Sequence, residues 1–400
     1  MSSDITVPLC FFEDRGDLQF APLTITRPVD DLRIGIFTIR EKWLKRLGTN
    51  RFARIQREPL TRVFPADNPA DLREGLWINA RWLPDEDAAA QAVSLSPGSY
   101  LLRNGKVVAA RLQDDKHRKF ALHPVASSLA GDGRSTNAGT WLAGLWDIFL
   151  NNGREIERDI DLLREPAIDP VSAFPRVVLV NADRIHAAES ARIDPGVVID
   201  ASAGPVYLGP GSHVMYGAVL LGPVAICEKS TVKMGAKISN GTTAGPVCKL
   251  NGEVENVILQ SYSNKGHDGF LGNSLIGEWC NLGANTITSN LKNNYKSVRI
   301  PEWPTGEEFD TRQQFFGAVM GDHGKTAINT SLSAGTLSGV CTNIFTTDFP
   351  PKHIPSFSWV SPEGIQKYRF EKAIETIETI MKRRQVNLTD DYRDMLHQVF

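Results

Sequence analysis

The sequence predicts an α/β domain followed by a hexapeptide solenoid and C-terminal helices, and three observations carry that prediction. Helical and strand-like patterns alternate over roughly the first 120 residues. Three prolines crowd residues 165–175 and mark a linker. Beyond it, Leu208, Val214, Leu220, Ile226, Val232 and Ile238 follow one another at every sixth position. Neither the helical period nor strand alternation gives a step of six, whereas a coil whose short faces each point one apolar residue inward does. The expected organisation is an α/β domain with a linking helix over 1–164, a linker over 165–175, the solenoid over 176–345, and an extended exit with helices over 346–400.

Each element has a local reason. Residues 5–12 form an apolar run too short for a typical helix and read as a buried strand. Pro22 and Pro28 keep the next segment extended. Ile36, Ile39, Trp43 and Leu47 then recur at helical steps, with Gly48 placed to cap the end. Residues 75–82 and 100–112 read as strands, the latter a hairpin turning at Asn104-Gly105. A helix is expected over 140–163, with Trp141, Leu145, Ile148, Phe149, Ile156, Ile160 and Leu163 on its apolar stripe and Gly153 as a weak point.

Within the solenoid, Ile193 and Ile199 keep the six-residue step, as do Ile276, Leu282 and Thr288, and then Ile328, Ala334 and Val340. The step is lost over 242–256 and 292–316, which read as loops extruded from the coil. A proline-rich exit follows Phe345. Ser361-Pro362-Glu363 then reads as the start of a helix with Ile365, Tyr368, Ile374, Ile377 and Met381 on one face, and Thr389 opens a last short helix.

Composition excludes several classes. A formal charge of −2 gives no electrostatic case for nucleic acid or an anionic membrane. The N-terminus lacks a basic segment followed by an apolar run, and no apolar stretch approaches the ~18 residues of a membrane span. The five cysteines form neither a CxxC pair nor a zinc spacing, as expected of reduced thiols in a cytoplasmic protein.

The run KGHDGFLGNSLIGEWCNLGANTITSNLKNNYK, from Lys265 to Lys296, concentrates the polar groups of the solenoid. Its Gly266-His267, Leu271-Gly272, Gly277, Asn281, Gly283-Ala284, Thr286-Ile287-Thr288, Asn290 and Lys296 fall in an ungapped pattern. That pattern resembles the acetyltransferase half of the bacterial bifunctional family that acetylates glucosamine 1-phosphate and couples the product to UTP. The resemblance implies a left-handed parallel β-helix, acetyl-CoA as cofactor and a homotrimer. The segment PLTITRPVDDLRIGIFTIREKW resembles the divergent sugar-nucleotidyltransferase-like domain attached to such β-helices. It implies coupling of an amino-sugar phosphate to a nucleoside triphosphate with Mg2+. Two departures stand out: Glu13-Asp14-Arg15-Gly16 replaces the glycine-rich phosphate loop, and Arg81 stands where a magnesium-holding aspartate is expected, so the metal ligands are unknown.

Acetyl transfer to a sugar amine needs a base for the amine and donors for the developing oxyanion. Histidine ordinarily titrates near neutrality, so His267 is the candidate base, set against the alternative of a structural or surface histidine. Asn281 and Asn290 are candidates for orienting the sugar or the carbonyl, against a role in a structural ladder. Backbone N–H groups near Gly283 and Ala284 are candidates for the oxyanion or the pantetheine arm. Lys237, Lys249 and Lys296 are candidates for sugar-phosphate contacts, against solvated charges. Phe270 occupies the family's tyrosine position, keeping the stacking face and losing the hydroxyl. No covalent intermediate is required, so Cys280 reads as a core thiol. Arg15, Arg27 and Arg33 are the cations of the N-terminal domain proposed for phosphates. Two alternatives are an acyltransferase with a degenerate N-terminal domain, and a nucleotidyltransferase whose β-helix only trimerises it.

Overall fold

The computed structural model describes residues 7–14, 17–55, 57–122, 129, 132–164, 167–303 and 305–400. The chain divides into two compact units. One comprises residues 1–20, 27–32 and 37–143; the other comprises 21–26, 33–36 and 144–400.

The first unit is built on a six-stranded sheet. Its strands run in the order Phe52–Arg54, Leu9–Phe12, Glu74–Asn79, Lys106–Gln113, Tyr100–Arg103 and Gly133–Ser135. Leu9–Phe12 is parallel to both neighbours, while Lys106–Gln113 is antiparallel to both of its own. The hairpin turns where the sequence places it, because Asn104 and Gly105 take the positive φ values (49° and 75°) that such a turn demands. The helix Ile39–Leu47 opens on a capping box between Thr38 and Glu41 and ends at left-handed Gly48. Trp43 is fully buried and donates its indole N–H to the Trp82 carbonyl at 2.8 Å. Phe12, Trp77 and Phe120 pack edge to face in the core.

The second unit is a parallel β-helix followed by two helices. Three sheet faces repeat through successive coils, as in Val198–Asp200, Val206–Leu208 and His213–Val214, each pairing in parallel with the next coil. The predicted inward series from Leu208 to Ile238 is buried throughout. Each such aliphatic side chain contributes roughly 1.5–3 kcal/mol on leaving water.

Several expectations are corrected. Residues 242–256 stay in the coil: Thr242–Ala244 and Lys249–Leu250 pair with the coils before and after them. The six-residue step runs on through buried Ala244 and Leu250 and breaks only after Leu250, where Glu253–Leu259 runs unbroken across two faces, pairing with Lys237–Ser239 and with Thr242–Ala244. The later inward series is not Ile328, Ala334 and Val340. Ile328 is 69% exposed, and the inward ladder runs through Met320, Thr326, Leu332, Ser338 and Ile344. Thr326 and Ser338 are buried polar members that an apolar count passes over. The coil continues beyond residue 345, through His353–Ile354 and Ser358–Ser361. No helix starts at Ser361; Ser358–Ser361 and Gly364–Lys367 form an antiparallel hairpin, and the helix is Phe370–Lys382. The second expected loop is extruded, carrying the hairpin Arg299–Pro301 with Glu308–Asp310. Thr389 caps the helix Asp390–Val399 as expected.

The helix predicted over 140–163 is Leu145–Ile160, and it groups with the β-helix rather than with the N-terminal unit. Its buried face includes Asn152, Glu155 and Asp159 as well as the predicted aliphatics. Asn152 donates to the Gly241 carbonyl (2.6 Å) and the Thr243 hydroxyl (2.9 Å), and accepts from the Gly35 N–H (2.6 Å). Asp159 accepts from the Ile36 N–H at 2.7 Å. At Gly153 the helix lies close against the coil, since a Cβ there would lie 2.9 Å from Pro223 Cγ.

Candidate active site on the β-helix

The corner carrying His267 is longer than the one before it. Residues 251 and 252 separate Leu250 from Glu253, whereas residues 266–269 separate Lys265 from Phe270, although both pairs of flanking strands are in register. Four residues is the ordinary length at this edge, as at 194–197, 215–218 and 233–236, and the 251–252 corner is the shortened one; His267 and Asp268 are exposed on theirs. Gly269 closes the corner at φ 122°, and a Cβ there would lie 2.3 Å from the Thr286 carbonyl oxygen.

Lys265 holds this corner from inside. Its strand position is an inward one, stacked on Leu250 and beyond it on Val232, Val214 and Ile193. The side chain is fully buried, and its ammonium donates to the carbonyls of His267 and of Asp268 (2.8 Å to the latter). Burial pushes the amine down to about 8, with Asp268 opposing the shift.

His267 opens onto a cleft of about 870 Å³ that also receives Asn281, Gly283, Ala284 and Lys249. The outward residues Lys249, Asn264, Asn281 and Lys325 follow one another across four consecutive coils. At about 4.8 Å per coil, they set out about 14 Å of the cleft wall. The opposite wall comes from the end of the helix Phe370–Lys382, through Thr376, Ile380, Arg383 and Arg384. Cys280 also lines the cleft, yet it is buried and burial pushes its thiol up to about 12, so it is no nucleophile.

The other candidates lie elsewhere. Lys237, Glu253 and Phe270 are register partners on the neighbouring face. Asn290 donates to Asn273 at 2.7 Å beside Phe270, in a gap kept open by Gly272, whose absent Cβ would sit 2.6 Å from the Phe270 ring and 2.7 Å from Asn290 Nδ2. Lys296 is exposed on the extruded segment. The structure therefore divides the predicted set between two faces, with His267 on the corner that joins them. Arg383, Arg384 and Lys325 were missed because only the fold brings distant chain segments to this cleft. Lys265 was missed because a lysine holds the inward position six residues from Leu259 and from Leu271, and a count of apolar residues passes over it.

In the N-terminal unit, Arg27 is buried and its carbonyl accepts from Arg57 at 2.9 Å. Arg15 lies outside the described residues. Arg33 belongs to the second unit, where its guanidinium meets the carbonyls of Gln260 (3.3 Å) and Ile36, a structural tie rather than a phosphate contact. Arg81 is buried against Asp14 (3.3 Å), Gln19 (2.8 Å) and the Leu142 carbonyl (2.9 Å), with the Trp141 ring 4.5 Å away. The described residues identify no magnesium ligands. None forms a group of three or more His, Cys, Asp or Glu able to hold a metal ion, and Asp14 faces this guanidinium.

Residues 9–167 match the sugar nucleotidyl transferase family model. Among curated relatives, the bifunctional protein GlmU of Methanococcus aeolicus is 37% identical over 87 residues, 22% of this chain and 20% of that protein. The uncharacterized acetyltransferase YaiX of Escherichia coli is 31% identical over 133 residues, 31% of this chain and 56% of the relative. The bifunctional protein GlmU of Oleidesulfovibrio alaskensis is 29% identical over 172 residues, 35% of each chain. The matched segments thus span from a fifth to little more than half of these relatives. The family model and the relatives' names are alike those of transferases. No helix of the described residues is long and apolar enough to cross a membrane.

Proposed function

We propose that the β-helix transfers acetyl from acetyl-CoA to the amine of an amino-sugar 1-phosphate, glucosamine 1-phosphate being the first candidate. The observation that carries this reading is the exposed corner that presents His267 to the same cleft as Asn281, Gly283 and Ala284. In the proposed reaction the amine nitrogen attacks the thioester carbonyl while His267 takes the amine proton. The C–S bond then breaks, and the thiolate leaves and is protonated. Asn281 and the N–H groups at Gly283 and Ala284 are proposed to orient the acceptor and stabilise the oxyanion. Phe270, Asn290, Lys237 and Lys296 are proposed to receive the sugar phosphate from the neighbouring face. A homotrimer and a cytoplasmic setting belong to the same proposal.

The family match over residues 9–167 supports a second activity, transfer of a nucleotidyl group to the acetylated product. The pairing of Arg81 with Asp14 favours the rival in which the N-terminal unit binds without turnover. A split assay tests both. Thiol release from acetyl-CoA with glucosamine 1-phosphate should fall by about 10²–10⁴ in His267→Ala. Pyrophosphate release from UTP with N-acetylglucosamine 1-phosphate should be unchanged by that substitution. Undiminished thiol release removes His267 as the base, and no pyrophosphate from any nucleoside triphosphate makes the N-terminal unit a binding module.

A further inference from the structure

The cleft is cationic at the end formed by the C-terminal helix. Lys233 and Lys249 reach it from the β-helix, and Arg383 and Arg384 from the end of the helix Phe370–Lys382. No Asp or Glu lines it among the described residues. Arg384 is fixed in place by the Asn264 side-chain amide oxygen Oδ1, which accepts from its Nη2 at 3.0 Å. The Lys249 amine is held below the ordinary lysine range by burial first, and then by Arg384, Lys233 and Arg383. A cation at a helix C-terminus is favoured by the helix dipole, which accounts for Arg383. It does not account for gathering two further lysines opposite, since like charges in one cleft repel.

We infer that this cationic end seats the phosphates of the nucleotide-bearing thioester donor, so that Arg383 and Arg384 make the C-terminal helix part of the acyl-donor site. The inference rests on the acetyl-transfer reading above. Three features favour the donor over a sugar monophosphate. The wall from Lys249 to Lys325 extends about 14 Å, the reach of an elongated ligand. Four cations match a ligand with several phosphate groups better than one with a single group. The residues proposed for the sugar phosphate lie on the other face of the His267 corner. A donor lying along the cleft would carry its phosphates at Arg383 and Arg384 and present its thioester toward His267, Gly283 and Ala284.

The test compares wild type with Arg383→Gln/Arg384→Gln, using acetyl-CoA and its phosphate-free counterpart acetylpantetheine as donors. The KM for acetyl-CoA should rise at least about tenfold in the double variant. The KM for glucosamine 1-phosphate and kcat/KM with acetylpantetheine should stay at wild-type values. Equal losses with both donors, a rise confined to the sugar phosphate, or no change overturns the inference. If wild type releases no thiol, the acetyl-transfer reading fails, and calorimetric binding of coenzyme A still decides this inference. Binding weakened about tenfold or more by the double substitution supports it, and no binding by wild type overturns it. Loss of the oligomer with coenzyme A affinity unchanged would assign the cations to a subunit interface and equally overturn it.

Discussion

Lys265→Met isolates the one charge buried at an inward position of the coil beside His267. The wild-type amine loses its proton at about 8 in the folded protein, against an ordinary 10.5. Between these values the unfolded chain binds more protons than the folded one, so stability rises as pH climbs from 8 to 10.5. Below pH 8 both states are protonated and the full cost of burying the charge is present, about 3 kcal/mol. Methionine removes that cost and fills the same space beside Leu250. It also removes the bonds to the carbonyls of His267 and Asp268, which offsets part of that gain. With a discount for water reaching this corner, the expected gain at pH 7 is about 1–3 kcal/mol. It should disappear above pH 10.5. Thermal unfolding of the two proteins at pH 7 and at high pH reads this as a midpoint difference of a few degrees that closes as the lysine deprotonates. The freed corner should lower kcat for thiol release by about 10–100-fold, because His267 is no longer held in register. Destabilisation at pH 7, or a gain that persists unchanged at high pH, would refute the reasoning about the buried charge. Unchanged kcat would refute the positioning role.

Three further outcomes are expected. Gly153→Val places a branched side chain against Pro223 and should cost about 1–3 kcal/mol, seen as a lowered unfolding midpoint, while Gly105→Ala at the open hairpin turn should cost less. Cys280→Ala should retain thiol release within a few-fold, and the native protein at neutral pH should resist thiol alkylation, because all five cysteines are buried. Asn152→Ala should loosen the helix Leu145–Ile160 by about 1–3 kcal/mol, since the Gly35 N–H and the Gly241 carbonyl each lose a buried partner; hydrogen exchange at Gly35 would report it.

The sequence by itself determined the α/β domain, the β-helix after it and the polar stretch that carries His267. An apolar residue every six positions has one cheap burial geometry, and local rules placed the Asn104-Gly105 hairpin and the Thr38–Gly48 helix. It also located Leu145–Ile160 to within a few residues. It did not reveal which unit that helix joins, because its buried face is polar at Asn152, Glu155 and Asp159, and Asn152 and Asp159 find partners elsewhere in the fold. The inward frame after the extruded loop was illegible for a similar reason. Thr326 and Ser338 occupy core positions as hydrogen-bonded polar groups, while apolar Ile328 faces outward. Only the tertiary structure separated Asn290 and Phe270 from Asn281, and only it brought Arg383 and Arg384 to the His267 cleft. Residues more than a hundred positions apart meet there through the stacking of coils and the return of the C-terminal helix, and no local periodicity encodes that return.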